Sequence, residues 1–268
     1  MEFRDSQTIM LIVDGTARVR SAVAPLNGEA RLSSPQTSQL VAGQVVQLLE
    51  NTGDWWKVRG PDAYDGWLHV GYIEPSTGNE STWRLSLGAT VRTTDGVVRA
   101  LPFNARVSDD AEVVSGHTID AAALTMRFPR NTAAVIETAV TFFSGASYLW
   151  GGVTPWGCDC SGLVQTLFAL HGHMLPRDAW QQAEIGDELS VTALHASNTL
   201  QHFQPGDLLF FSDRGDKRIT HVGLAMSNHQ FIHSGVRRGG VRVEDLGSDE
   251  LYVQQLRANF VCARRLSL

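Results

Sequence analysis

An α+β domain preceded by two small β-barrels is the architecture the sequence predicts, and three observations carry it. Up to about residue 120 the chain consists of short apolar runs broken at regular intervals by Gly-, Asn- and Asp-bearing turns. From Asn131 the apolar spacing becomes helical, and after Gln204 it returns to short β runs. Helices first and antiparallel strands later make an α+β domain rather than an alternating α/β one. At 268 residues, with 43% hydrophobic and 19% charged, the chain can bury a sizeable core, which excludes a disordered or fibrous protein and allows two or three modules.

In the first barrel, a run at 45–49 leads through the turn Asn51-Thr52-Gly53-Asp54 into Trp55-Trp56-Lys57-Val58. Gly60-Pro61-Asp62 makes the next turn, before a run at 64–70. The second barrel is more divergent, with 87–92 and 111–116 as its clearest pieces. The expected boundaries are 1–77, 78–128 and 129–268. In the third module, 132–140 reads as a helix ending before Ser144-Gly145. Leu163, Val164, Leu167 and Phe168 recur at helical spacing after Cys160, and Gly172 supplies the stop. Strands are expected at 207–211, 221–226, 230–233 and 240–243.

A net charge of −6 with no Lys/Arg cluster argues against nucleic acid as a partner. The longest uncharged stretch, 138–158, is broken by Ser, Gly, Thr and Pro, so no membrane span is expected. The N-terminus MEFRDSQTIMLIVDG has neither a basic lead nor an apolar h-region, which leans toward a cytoplasmic protein, or an exported one if the sequence is a mature form. Three cysteines, Cys158, Cys160 and Cys262, are too few for a disulfide scaffold, and Cys158-x-Cys160 is not a zinc pair. No metal site is expected. Reduced thiols are.

Asp159-Cys160-Ser161-Gly162 stands where a Gly/Pro-rich loop enters the second helix. Unpaired N–H groups and the dipole at a helix N-terminus favour thiolate over thiol, so Cys160 is the candidate nucleophile. Cys158 lies outside the helix and reads as a small buried hydrophobe. Of nine histidines, His69, His117, His171, His173, His195, His202 and His229 fall in loops, turns or the N-terminal modules, where a solvated role suits them. His221 and His233 instead sit inside β runs flanking Ser227-Asn228-His229. In an antiparallel pair, opposed residues have numbers of fixed sum, and residues two apart share a face. The two histidines face the same way only if that sum is even. A two-residue turn at Asn228-His229 makes it odd, so a three-residue turn or a bulge is expected. His221 is then the base and His233 orients its other ring nitrogen.

Several motifs in order carry a resemblance. They are Tyr148-x-Trp150-Gly151-Gly152, Asp159-Cys160-Ser161-Gly162-Leu163-Val164-Gln165, Leu175-Pro176-Arg177, Gln204-Pro205-Gly206-Asp207-Leu208-x-Phe210-Phe211, His221-Val222-Gly223 and Phe231-Ile232-His233-Ser234. Over about the last 140 residues the chain resembles the NlpC/P60 family of cysteine peptidases, whose catalytic core is papain-like. The order turn, Asp54-Trp55-x-x-Val58, turn, Gly66-Trp67-Leu68 is similar to a bacterial SH3 domain.

The family resemblance implies cleavage of cell-wall peptides between D-glutamate and a diamino acid, with Cys160 as nucleophile, His221 as base, His233 as third member and Tyr148 as an oxyanion donor. Two SH3-like modules ahead of the peptidase resemble γ-D-glutamyl-L-diamino acid endopeptidases, which act on murein peptides with a free N-terminal L-alanine. In those, the first module closes one end of the cleft. Tyr64 and Asp178 then match the residues that hold the alanine ammonium, and Ser161 the one that binds the glutamyl portion. Ala179 and Cys158 depart from the usual pattern, and Glu29 is a loosely aligned candidate for a further acidic contact. The implied partner is a murein peptide, the implied oligomeric state a monomer, and no cofactor is implied. A hydrolase of intact wall, with the SH3-like modules as anchors, stays open as the alternative.

Overall fold

The computed structural model describes residues 10–76, 82–190 and 203–267; His195, His202 and the expected junction at 77–78 lie outside them. The chain forms two compact units: one runs up to Leu101 and adds Ala105–Thr118, and the other comprises Pro102–Asn104 and everything from Ile119 onward.

The first unit opens with β1 (Thr16–Val19), β2 (Val23–Asn27), β3 (Gln36–Val41), β4 (Val45–Thr52), β5 (Trp55–Arg59), β6 (Asp65–His69) and β7 (Ile73–Pro75). They form an antiparallel sheet in the order β3-β2-β6-β5-β4-β1-β7. Alternate residues enter one core, including Val46 and Leu48 of β4, Trp56 and Val58 of β5 and Leu68 of β6. The turn expected at 51–54 is tighter than its four residues, because β4 runs to Thr52, which opposes Trp55 across Gly53-Asp54. Gly53, at φ 60°, takes the left-handed conformation there.

Next come β8 (Trp83–Leu87), β9 (Thr90–Arg92), β10 (Val98–Ala100), β11 (Phe103–Ser108), β12 (Glu112–Ser115) and β13 (Thr118–Asp120). The run at 87–92 is split by Gly88 at φ 93°. β9 pairs with β10 on one side and β12 on the other. Ala89, Val91, Leu101, Ala105 and Val107 share a core with Val41, the last residue of β3, and Ala42, in the turn after it. The Arg106 N–H donates to the Ala42 carbonyl at 2.8 Å. A shared core is why the two β assemblies fall in one unit.

In the second unit, α1 (Leu124–Arg127) and α2 (Thr132–Thr138) precede a π-helical turn at Ala139–Phe143. Asn131 caps α2, its side-chain oxygen accepting the Ala134 N–H at 2.9 Å. The hairpin β14 (Val153–Thr154) and β15 (Gly157–Cys158) leads into α3 (Cys160–Leu170), which ends at Gly172, φ 77°. Then come α4 (Ala179–Gln182), β16 (Asp187–Glu188), β17 (Leu208–Phe211), β18 (His221–Ala225), β19 (Gln230–Gly235), β20 (Gly240–Asp245), α5 (Leu251–Asn259) and β21 (Phe260–Arg265). The six strands form an antiparallel sheet, β16-β21-β17-β18-β19-β20, against which α3 packs.

Helical spacing in α3 predicts one apolar face, yet residues 160–168 are buried on every side. Its polar positions are satisfied inside: Gln165 donates to the Leu175 carbonyl at 3.1 Å and Thr166 to that of Val153 at 3.0 Å. His171 corrects the expectation of a solvated side chain, being only 1% exposed. Its Nδ1 donates to the Pro129 carbonyl at 2.7 Å and its Nε2 meets the Thr138 hydroxyl at 3.0 Å, which ties the end of α3 to α2. Burial holds its pKa below the ordinary value.

Candidate active site

The β18–β19 hairpin has the register the paired histidines need. Leu224 opposes Ile232 and Ala225 opposes Phe231, an even sum, with Ser227-Asn228-His229 as the turn. The Met226 N–H closes it on the Gln230 carbonyl at 2.7 Å. His221 Nε2 lies 2.7 Å from His233 Nδ1, the rings meeting edge to face. His233 is fully buried and stacks on Tyr252 of α5. Gly223 keeps the approach open, since a Cβ there would lie 2.4 Å from the Phe231 ring. Burial, with His233 adding to it, holds His221 well below the ordinary histidine pKa, so its ring is a neutral base.

Cys160 is the first residue of α3, and Asp159 caps the helix by accepting the Gly162 N–H at 2.7 Å. The second oxygen of Asp159 accepts the Gly151 N–H at 2.8 Å. Arg177, almost fully buried, grips the same carboxylate at 3.1 and 2.7 Å and donates to the Ser161 hydroxyl at 2.9 Å. One ion pair thus binds the loop at 148–152, the start of α3 and the segment at 175–178. Glycine is required at the crossing, because a Cβ on Gly162 would sit 2.1 Å from the Gly152 carbonyl oxygen. The Ser234 hydroxyl donates to the Cys158 carbonyl at 2.7 Å, fixing the loop before the helix against β19.

The helix N-terminus predicts a thiolate-favouring Cys160, and the structure adds a larger opposing effect. Burial, with Asp159 contributing, pushes the thiol up to about 12 against backbone hydrogen bonding from Val222 and Ser161. Burial thus favours the thiol over the thiolate at Cys160 and the imidazole over the imidazolium at His221. Cys158 is fully buried, as expected, and burial pushes its thiol up to about 12 as well.

Tyr148, Cys160 and His221 line one cavity of about 670 Å³ with Trp150, Arg237 and Tyr252. Burial and the neighbouring Cys160 raise the Tyr148 pKa, so its phenol keeps its proton as a hydrogen-bond donor. Of the other sequence candidates, Asp178 and Ser161 are not among the residues lining that cavity. Asp178 is the N-cap of α4, its own N–H donating to Gln181 Oε1 at 3.4 Å. The Ser161 side chain is buried, its hydroxyl engaged by Arg177 and Asp159. Tyr64 belongs to the first unit, partly buried against the core of its barrel. Sequence reasoning assigned Asp159 and Arg177 no role; their one signal was their presence in two motifs of the ordered series.

An antiparallel sheet backed by a helix that starts at a cysteine, with that cysteine and one histidine of a hydrogen-bonded pair lining one cavity, is the arrangement of a papain-like fold. Comparison with known proteins makes the class specific. A model of the NlpC/P60 family matches residues 145–261, and one of the bacterial SH3 domain matches 28–74. The probable endopeptidase NlpC of Escherichia coli (strain K12) is 32% identical over 169 residues, spanning 63% of this chain and 88% of that one. The chain belongs to the NlpC/P60 family. A gamma-D-glutamyl-L-lysine dipeptidyl-peptidase of Bacillus subtilis (strain 168) is 34% identical over 123 residues, 46% of this chain and 38% of that relative's length. An NlpC/P60 family protein from Bacillus cereus ATCC 10987 has the same fold at a TM-score of 0.74 and 19% identity, covering 93% of this chain and 99% of its own.

Proposed function

We propose that this peptidase is a cysteine endopeptidase that hydrolyses the bond between D-glutamate and a diamino acid in short murein peptides with a free N-terminal L-alanine. The observation that carries the chemistry is the 2.7 Å contact between His221 Nε2 and His233 Nδ1, beside a cavity shared with Cys160. That contact occupies one nitrogen of His221 and leaves Nδ1 for the thiol. His221 takes the Cys160 proton as sulfur bonds to the γ-carbonyl carbon. It returns that proton to the departing amine as the C–N bond breaks, and then activates the water that hydrolyses the thioester. The Tyr148 hydroxyl and the Cys160 N–H stabilise the oxyanion, a donor of this kind being worth about 3–4 kcal/mol in the barrier. The substrate assignment draws support from the activity named for the Bacillus subtilis relative and from the SH3 match at 28–74. On this reading β8–β12 form a second, divergent SH3-like module. Tyr64 and Asp178 hold the substrate ammonium, and Ser161 contributes to the glutamyl subsite.

L-Ala-γ-D-Glu-diaminopimelate should be cut to L-Ala-D-Glu and the free diamino acid, identified by mass. Acetylating its amine should lower kcat/KM by about 100-fold, the cost of leaving the half-buried Asp178 carboxylate without its cation. Equal rates on both peptides would remove the free-amine requirement, and clearing of purified wall sacculi would favour the alternative of an enzyme for intact wall.

The low basicity of His221 sets a pH expectation. Its neutral form persists as pH falls through the ordinary histidine value of 6.5, so the acid limb of kcat/KM should be centred below 6.5. A profile from about pH 5 to 8 checks this. A limb centred at or above 6.5 would show that His221 is not held neutral.

A further inference from the structure

Behind the two histidines stands a carboxylate that none of the motifs includes. His233 Nε2 is buried and makes no hydrogen bond, yet it points at Glu244 Oε1 3.7 Å away. Glu244, on β20, is itself only 5% exposed. Two hydrogen bonds from Arg238, at 2.7 and 2.8 Å, fix it in place. Arg238 is held in turn by Glu250 at 2.7 and 2.8 Å and lies over the ring of Tyr252, the residue on which His233 stacks. Arg242, opposite His233 in the ladder, is exposed.

The tautomers follow. If His233 donated from Nδ1 to His221, its bare Nε2 lone pair would face a carboxylate, a repulsive arrangement in a site without solvent. If Nε2 carries the proton, it points toward the negative charge, Nδ1 accepts from His221 Nε2–H, and His221 Nδ1 is left bare for the thiol. The second arrangement leaves no lone pair facing the carboxylate and turns the Nε2 proton toward its charge. We propose that Glu244 is a positioning residue of the site. Clamped by Arg238, it fixes the tautomer of His233 and through it orients and charges up His221, so that the functional chain is Cys160, His221, His233, Glu244. This rests on the reading of Cys160 and His221 as nucleophile and base.

Iodoacetamide tests it without a substrate. The rate of alkylation at Cys160, read by peptide mass mapping across pH, reports the thiolate–imidazolium population of the full chain. Glu244→Gln removes the charge that favours imidazolium. The plateau rate should fall about tenfold and the acid limb move down by about half a pH unit. Glu250→Gln, which also removes an Arg238 partner but not one facing His233, should leave the limb in place. An unmoved limb in Glu244→Gln, with His221→Ala still abolishing the plateau, overturns the role of Glu244 alone. An unchanged plateau in His221→Ala overturns the underlying base assignment instead. Should Glu244→Gln not fold, 15N-histidine spectra of the wild-type chain decide. Protonation of His233 at Nε2 supports the proposal, and protonation at Nδ1 overturns it.

Discussion

Cys160→Ala should lower kcat/KM on the murein tripeptide by at least about four orders of magnitude while leaving the unfolding free energy within about 1 kcal/mol of wild type. The structural cost is small because only a sulfur atom is removed from the first position of α3, and the cap that starts the helix belongs to Asp159. The catalytic cost is large because Cys160 is the one thiol among the described residues lining the cavity. A sharper test compares His221→Ala and the double variant. Groups that act as one nucleophile–base unit are strongly non-additive, so each single variant should lose about as much as the two together. Losses that multiply would show that Cys160 and His221 act in separate steps. Residual turnover by Cys160→Ala near wild-type rates would remove the nucleophile assignment.

Much of this site could be read along the chain, and the reason is geometric. Strand residues alternate faces, so the parity of the Asn228 turn alone decided whether His221 and His233 could meet, and the three-residue turn meets that condition. The position of Cys160 at a helix start was equally local, since a Gly/Pro-rich loop, an apolar spacing and a terminating Gly follow one another directly along the chain. What stayed hidden was non-local. Asp159 and Arg177 are separated by eighteen positions, and no spacing rule brings them together. The raised thiol pKa had the same origin, because the helix terminus is visible in sequence while the burial that outweighs it is not.

The last two elements escaped for a different reason. α5 buries only Val253 and Leu256, and β21 buries Phe260 and Ala263 out of step with strict alternation, so neither shows a clear period. β21 nonetheless lies between β16 and β17 in the sheet. Its Arg265 grips Asp207 at 2.7 and 2.8 Å, which fixes the turn that starts β17. The Gln-Pro-Gly-Asp motif thus finds its partner in the final strand, where charged residues disguise a strand as a tail.

Breaking the Asp159–Arg177 pair should have the largest effect on stability. Both side chains are nearly inaccessible, at 7% and 1% exposed, so neither charge can recover hydration when its partner is lost. The two single losses are unequal. Arg177→Met leaves the carboxylate with the Gly151 and Gly162 N–H groups and the Ser161 hydroxyl as donors, which puts the cost near 3 kcal/mol, the low end for a broken buried pair. Asp159→Leu strands a guanidinium with fewer acceptors and removes the cap of α3 as well. That cost should approach 5 kcal/mol, seen as a drop of roughly 10 °C or more in the unfolding midpoint. Because the double variant leaves no stranded charge, it should be at least as stable as Asp159→Leu, giving a coupling of at least about 3 kcal/mol in a denaturant double-mutant cycle. Activity should separate from stability. The double variant regains fold, but without the cap it no longer fixes the start of α3 against the loop at 148–152, so its kcat should stay depressed by about 100-fold at temperatures where it is fully folded. Additive single losses would mean that the two residues stabilise the site independently. A double variant with wild-type kcat would mean that the pair serves stability alone.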